Sequence, residues 1–238
     1  DLGAWSGVLQ VVSEQRLDGS YTPQLEWANI KYQLTPDLAV RAGRIALPVF
    51  LGAESRKVGY TIPWVRTPVE VYGSLPISSS DGLDATWRWS TGSVLHATQV
   101  FAGRTDQDLR NQLRIKAEDI VGLSHSIERG AVSTRLSAAS GRLNTGIGKE
   151  LFDVLRNFGP AGDLLADRYE IRNKRVSMVS IGMSVDPGAW FVTAECGRTR
   201  TDSLLGDGTS MYVGVGLRRG ALTPWVGYAQ VRADVPTR

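Results

Sequence analysis

The sequence predicts an all-β fold, a transmembrane antiparallel β-barrel, on the basis of three observations. Apolar and polar residues alternate with a period of two along most of the chain, as they do on strands whose two faces meet different surroundings. The connectors between these segments alternate between short and long. Glycine accounts for 26 of the 238 residues, which favours tight turns and close backbone contacts over helical bundles.

The alternating pattern defines eleven candidate strands in a single domain that spans residues 1–238. In the segment 112–127, odd positions such as Ile115 and Val121 are mainly apolar, whereas even positions such as Arg114 and Lys116 are charged. We therefore predict that odd positions contact lipid and even positions face a water-filled lumen. The predicted strands are 4–13, 23–34, 38–46, 82–91, 94–104, 112–127, 131–142, 175–186, 189–199, 209–219 and 222–232.

The lengths of the connectors predict which end of each strand lies on the periplasmic side and which lies on the extracellular side. The short ones contain Gly, Pro or Asp, as tight hairpins require; they are 35–37, 92–93, 128–130, 186–188 and 220–221. The long ones are 14–22, 47–81, 105–111, 143–174 and 200–208. Short turns at one end and long loops at the other are typical of outer-membrane barrels, with periplasmic turns and extracellular loops.

One long extracellular loop, 143–174, contains a helical pattern. Leu151, Val154, Leu155 and Phe158 recur at helical spacing, which predicts a short helix over 148–158.

Charge and residue usage argue against several other classes of protein. The net charge of +3, from 27 bases and 24 acids, does not indicate nucleic-acid binding. One cysteine, Cys196, and two histidines, His96 and His125, disfavour a disulfide framework and a metal site. The sequence has no G-x-S-x-G, H-E-x-x-H or Walker motif. We therefore expect no enzyme activity, no metal, no organic cofactor and no nucleic-acid partner; a barrel enzyme would need a histidine beside a nucleophile at the loop end.

Two stretches of the chain resemble a known family. Residues 10–50 (QVVSEQRLDGSYTPQLEWANIKYQLTPDLAVRAGRIALPVF) and 56–89 (RKVGYTIPWVRTPVEVYGSLPISSSDGLDATWRW) resemble the N-terminal half of Gram-negative outer-membrane porins of the general and phosphate types, which have sixteen strands. The resemblance implies an outer-membrane diffusion channel that forms a homotrimer in contact with lipid and lipopolysaccharide. It also implies that the 238 residues are an incomplete chain, with about eleven or twelve strands of a sixteen-strand barrel.

Charged residues on the predicted lumen face are the first candidates for function. Charged rings around confined water set the ion preference of a pore, so an excess of bases predicts a weak preference for anions. The predicted pore-lining residues are Lys31, Arg41, Asp84, Arg88, Arg114, Lys116, Glu118, Arg135, Glu195 and Arg218. The alternative is that each of these residues is only solvated, or paired with a neighbour of opposite charge.

Loop 47–81 is the second candidate, because connectors of this length are usually functional or disordered. By the resemblance, it folds inward and forms the constriction of the pore, where bases opposite acids would create a transverse field. The charged residues proposed for the constriction are Glu54, Arg56, Lys57, Arg66 and Glu70. The alternative is a surface loop that packs against a neighbouring subunit.

Five tryptophans lie near strand ends beside the predicted short turns: Trp5, Trp87, Trp89, Trp190 and Trp225. They predict an aromatic girdle at the periplasmic interface, with a sugar-stacking platform as the alternative. The predicted function is a passive, weakly anion-preferring channel for small hydrophilic or anionic solutes in the outer membrane of a Gram-negative bacterium. The alternative function is a soluble β-sandwich that binds carbohydrate through exposed tryptophans, which would stay monodisperse without detergent.

Overall fold

The computed structural model describes residues 3–13, 21–56, 58, 62, 64, 66–75, 77–108 and 114–234. The strands are β1 (Trp5–Val12), β2 (Gln24–Gln33), β3 (Leu38–Ala46), β4 (Ser79–Thr91), β5 (Val94–Asp108), β6 (Arg114–Arg129), β7 (Val132–Thr145), β8 (Lys174–Val185), β9 (Trp190–Thr201), β10 (Asp207–Leu217) and β11 (Trp225–Asp234). The helices are α1 (Val69–Tyr72), α2 (Lys149–Arg156) and α3 (Pro160–Tyr169). The predicted all-β fold and its eleven strands are confirmed.

The strands form one antiparallel sheet in which every strand pairs with its neighbours in sequence. Within the described residues, β1 and β11 are the two edge strands of this sheet. Tight turns join alternate pairs, and Gly92 and Gly130 adopt the left-handed conformation there, with φ of 60° and 56°, which costs glycine least. No helix in the described part of the chain has the length and apolar character needed to span a membrane.

The two faces of the sheet have different surroundings. The face that the described residues of segment 47–77 contact is termed the inner face. Leu47 and Phe50 pack there in one apolar cluster with Phe101, Met178 and Tyr212. The opposite, outer face carries exposed apolar side chains on successive strands. These include Leu83, Val100, Val121, Leu136, Val179, Val213 and Val226. An exposed apolar row on each strand suits contact with hydrocarbon.

The alternation along β6 changes phase at Asp119. Pairing with β7 slips between Glu118 and Val121, and Asp119 has φ of 51°. Such a β-bulge inserts an extra residue into one strand, so that the residues before and after it exchange faces. Ile115 and Ala117 therefore lie on the inner face, in the apolar cluster, whereas Val121 lies exposed on the outer face.

This bulge corrects part of the predicted pore lining. Arg114, Lys116 and Glu118 lie on the outer face, because they alternate with the inward Ile115 and Ala117. They form ion pairs at the long-loop end of the strand, Arg114 with Asp106 at 2.5 Å and Lys116 with Glu118 at 2.8 Å. The hydrophobic pattern alone could not reveal the change, because apolar residues on the loop side of Asp119 pack against protein rather than lipid.

The helical connector is longer than the sequence pattern predicts. Helix α2 matches the predicted helix, but the chain continues into a second helix, α3, which begins at Pro160. Proline is favoured at the first helical position, where its missing N–H costs nothing. Arg156 of α2 forms an ion pair with Glu170, the residue that follows α3, with 2.6 Å between Nη2 and Oε2. Helix α1 was not predicted.

A charged side chain introduced in the middle of the outer face should destabilise the folded protein. Replacing Val179 with Arg should reduce the free energy of unfolding by about 2–4 kcal/mol, because the guanidinium would face hydrocarbon near mid-bilayer. Arg175 lies on the same face of the same strand nearer the long-loop end, so Arg175→Val should change it by less than about 1 kcal/mol. Urea unfolding in lipid vesicles measures both, and equal effects would contradict the assignment of the faces.

Candidate functional site: the contact of loop 47–81 with the inner face

Segment 47–53 is fixed to the inner face through three consecutive backbone carbonyls. Each accepts a hydrogen bond from an inward side chain of β7 or β8. The pairs are Ser137 Oγ to Pro48 O at 3.0 Å, Ser180 Oγ to Val49 O, and Arg135 Nη1 to Phe50 O at 2.9 Å. A loop whose backbone is held in this way has a defined position over the sheet.

Glu195 of β9 is the centre of this contact. Its side chain is buried, with the residue 3% exposed, and it accepts hydrogen bonds from the loop and from the wall. The donors are Leu51 N at 2.7 Å, Tyr72 Oη at 2.6 Å and Tyr212 Oη at 3.0 Å. Burial, followed by the charge of Glu195, holds the pKa of Tyr72 well above its usual value, so its phenol stays protonated and donates. No sequence pattern singles out Tyr72 or Tyr212, because phenols that pair with a distant carboxylate have no spacing signature.

Two further ion pairs lie on the inner face. Arg41 of β3 contacts Asp84 of β4 at 2.8 Å, and the Asp84 side chain is fully buried. At the short-turn end of the sheet, Arg218 Nη1 lies 2.6 Å from Asp186 Oδ1. The guanidinium of Arg218 also stacks over the ring of Phe191, with Cζ 4.9 Å from the ring centroid. The hydrogen bond from Arg218 lowers the pKa of Asp186 below its usual value, which keeps this pair ionised at neutral pH.

Strand register places seven of the ten predicted pore-lining residues on the inner face. They are Lys31, Arg41, Asp84, Arg88, Arg135, Glu195 and Arg218. The same register adds Glu128 and Lys174, which the sequence did not single out because they lie at strand ends. Together these residues comprise six bases (Lys31, Arg41, Arg88, Arg135, Lys174 and Arg218) and three acids (Asp84, Glu128 and Glu195).

The structure places the predicted constriction residues less uniformly. Glu54 lies 4.0 Å from Arg135 of the wall, so it faces a base on β7. Arg66 is exposed, Arg56 and Glu70 are half-buried, and Lys57 lies outside the described residues. The predicted transverse field between these side chains therefore stays a prediction.

The tryptophans divide between the two faces. Trp5, Trp87 and Trp190 are exposed on the outer face near the turn end, as a girdle requires. Trp89 stacks on His96 with ring centroids 5.1 Å apart. Trp225 was predicted wrongly: its partner across the ladder is the inward Gly216, and its ring lies 6.1 Å from that of Trp64 in the loop.

The loop separates two cavities that differ in character. A cavity of about 430 Å³ lies toward the long-loop end, and its lining is mostly aliphatic. A cavity of about 210 Å³ lies toward the turn end and is lined by Ser184, Thr193, Asp186, Arg218 and the ring of Trp64, among others. Among the described residues, no group of three or more His, Cys, Asp or Glu side chains could hold a metal ion.

A sequential antiparallel sheet with an apolar outer face and a long third connector fixed across its inner face defines an outer-membrane β-barrel of the porin type. The fold is similar to that of OmpF from Salmonella typhi, solved in complex with daunomycin, with a TM-score of 0.60 and 15% identity over 97% of this chain and 67% of that chain. A porin refined at 1.8 Å gives a TM-score of 0.46 and 15% identity over 97% and 68% of the two chains. A loop-deletion mutant of OmpT, an outer-membrane protein of Vibrio cholerae, gives 0.38 and 9% over 97% and 92%.

No protein-family profile and no curated protein matches the sequence. The likeness to OmpF is therefore one of fold, and it confirms the predicted antiparallel β-barrel fold of the porin type.

Removing one hydroxyl from the loop contact should loosen the loop. In Tyr72→Phe the ring still packs, but the buried carboxylate of Glu195 loses a donor, which should cost about 1–3 kcal/mol of loop docking. We expect faster proteolysis within loop 47–81 of the folded protein in detergent. Tyr228 lies exposed on the outer face of β11, so Tyr228→Phe is the control; equal proteolysis rates in the two variants would contradict this role of Tyr72.

Proposed function

We propose that the protein is a passive diffusion channel of the Gram-negative outer membrane, with a weak preference for anions and with small hydrophilic solutes as its cargo. The observation that carries the proposal is the contact of residues 48–51 and Tyr72 of loop 47–81 with the charged inner face of the sheet. Three backbone carbonyls and the carboxylate of Glu195 hold this loop. A loop held in this way narrows the lumen to a constant width and excludes solutes by size.

The proposed anion preference follows from the inward charges. Bases outnumber acids on the inner face, and not all of the bases are neutralised. Within the described residues, the side chains of Lys31 and Arg88 form no hydrogen bond or ion pair, whereas Arg41 is paired with Asp84. Unpaired positive charges beside confined water attract anions more strongly than they would in bulk solvent.

The charges on the outer face have a different proposed role. Basic side chains gather there at the long-loop end; they include Arg114, Lys116, Arg142, Arg175, Arg198 and Arg232. We propose that they contact lipid headgroups and the phosphates of lipopolysaccharide, since Arg and Lys bind phosphate oxygens well. Several are paired with acids, as Arg198 is with Asp234 at 2.9 Å, which limits the net charge of this band.

The proposal includes a homotrimer and no catalytic activity. His125 lies on the outer face, with Nδ1 2.8 Å from Thr98 Oγ1, away from the inner cavities. The exposed apolar outer face does not favour the alternative of a soluble β-sandwich, whose sheets would bury such a face against each other. Light scattering in detergent tests the trimer through the protein mass of the particle.

Recordings from the full-length protein in planar bilayers under a salt gradient test the channel. We expect discrete conductance steps and a reversal potential of anion-selective sign. Replacing Lys31 and Arg88 together with Glu should move the reversal potential toward cation selectivity, because both side chains lie on the inner face without a partner among the described residues. The absence of steps would overturn the channel, and an unchanged potential would overturn the role of these two bases.

The outer-face bases provide a matched control. Arg114→Glu with Lys116→Glu makes the same change in total charge but at positions that β6 turns outward. We expect the reversal potential of this variant to stay near that of the wild type. A shift as large as that of the inner-face variant would show that total charge, rather than placement in the lumen, sets the selectivity.

A further inference from the structure

The inner face is apolar at its long-loop end, where a water-filled lumen alone would favour polar residues. Ile115, Ile120, Leu143, Val176 and Met178 all project from β6, β7 and β8 toward segment 47–77. Part of this surface is covered by the loop, which explains why it is apolar. The loop does not cover all of this apolar surface, and the part that it leaves open borders a cavity.

The space between the loop and this surface is the cavity of about 430 Å³, termed here the rear cavity. Leu47, Val49 and Ile77 line it from the loop side. Its volume lies in the range of ordinary small-molecule sites, about 300–1,000 Å³. Apolar cavities hold water poorly and accept apolar guests instead, so the rear cavity is unsuited to the hydrophilic solutes of the proposed channel.

Charge is largely turned away from the rear cavity. Arg142 and Arg232 border it, but strand register directs both side chains to the outer face. Asp207 also borders it, and its Oδ1 already accepts a hydrogen bond from Thr201 N at 2.9 Å. A charged guest would therefore lose its hydration and meet no charged side chain that strand register directs into the cavity.

Two residues of the lining have a buried polar atom without a hydrogen-bond partner among the described residues: Arg142, whose side chain is directed to the outer face by strand register, and Thr145, which lies on the inner face. The hydroxyl of Thr145, at the end of β7, is buried and has no hydrogen-bond partner within the described residues. A buried hydroxyl left in this state costs free energy. A guest with one hydroxyl or carbonyl group near this position would remove that cost.

We propose that the rear cavity binds a small, uncharged amphiphile: an apolar body of fused-ring or branched aliphatic size that carries one hydroxyl or carbonyl group. The apolar body contacts the aliphatic lining, and its polar group pairs with the Thr145 hydroxyl. This site goes beyond the proposed channel function, and binding is measured without a conductance assay, so the failure of one is distinguishable from the failure of the other.

The test uses 1-naphthol with the full-length protein in lipid nanodiscs, measured by calorimetry with empty discs subtracted. We expect saturable one-to-one binding to the wild type. Ala139 lines the cavity and Ala138 lies exposed on the outer face beside it. Ala139→Phe should fill the space and weaken binding by at least about tenfold, a difference of about 1.4 kcal/mol, whereas the control Ala138→Phe should bind as the wild type does.

Two further variants test the same cavity if Ala139→Phe does not fold. Ala117→Leu fills the same cavity with a smaller side chain and should also weaken binding. Thr145→Val should weaken binding of 1-naphthol but leave binding of naphthalene unchanged, because only the former has a hydroxyl. Binding no greater than in empty discs, or equal binding by the filled and control variants, would overturn the site; equal loss of both probes in Thr145→Val would overturn the assigned polar contact.

Discussion

Each strand of this protein has to separate two solvents, and the rest of the structure depends on that constraint. Hydrocarbon offers no hydrogen bonds, so the backbone must pair within the sheet and the outward side chains must be apolar. Water on the other side permits charge, which explains how a chain with a mean hydropathy of −0.14 presents a continuous apolar face. The charges that remain on the outer face gather at the long-loop end, where we propose that lipid headgroups lie.

The inner face is itself divided, because loop 47–81 replaces water over part of it. Under the loop the sheet needs a protein core, and Ile115, Met178 and Phe101 provide one. The carboxylate of Glu195 is buried there with three hydrogen-bond donors. The described part of the loop thus borders two cavities, the apolar rear cavity toward the long-loop end and a more polar cavity toward the turn end.

The fold was predictable because period-two alternation and connector length are local signals. All eleven strands, the short helix over 148–158 and the inward placement of residues such as Arg88 and Arg135 follow from them. The phase change at Asp119 was not predictable, since apolar residues against lipid and against a loop look the same in sequence. Glu195 was expected to line the pore, but its partners Tyr72 and Tyr212 lie 123 and 17 residues away, and no spacing rule links them.

Cysteine labelling at two adjacent residues of β2 tests the two-solvent constraint most directly. With Cys196 replaced by Ser, Lys31→Cys and Ile30→Cys are treated with a charged, membrane-impermeant thiol reagent in lipid vesicles. Register places Lys31 inward and Ile30 outward, so the cysteine at 31 should react and the one at 30 should stay protected until the protein is unfolded. Equal reaction at both positions, or protection of 31 alone, would contradict the assignment of water to one face and hydrocarbon to the other.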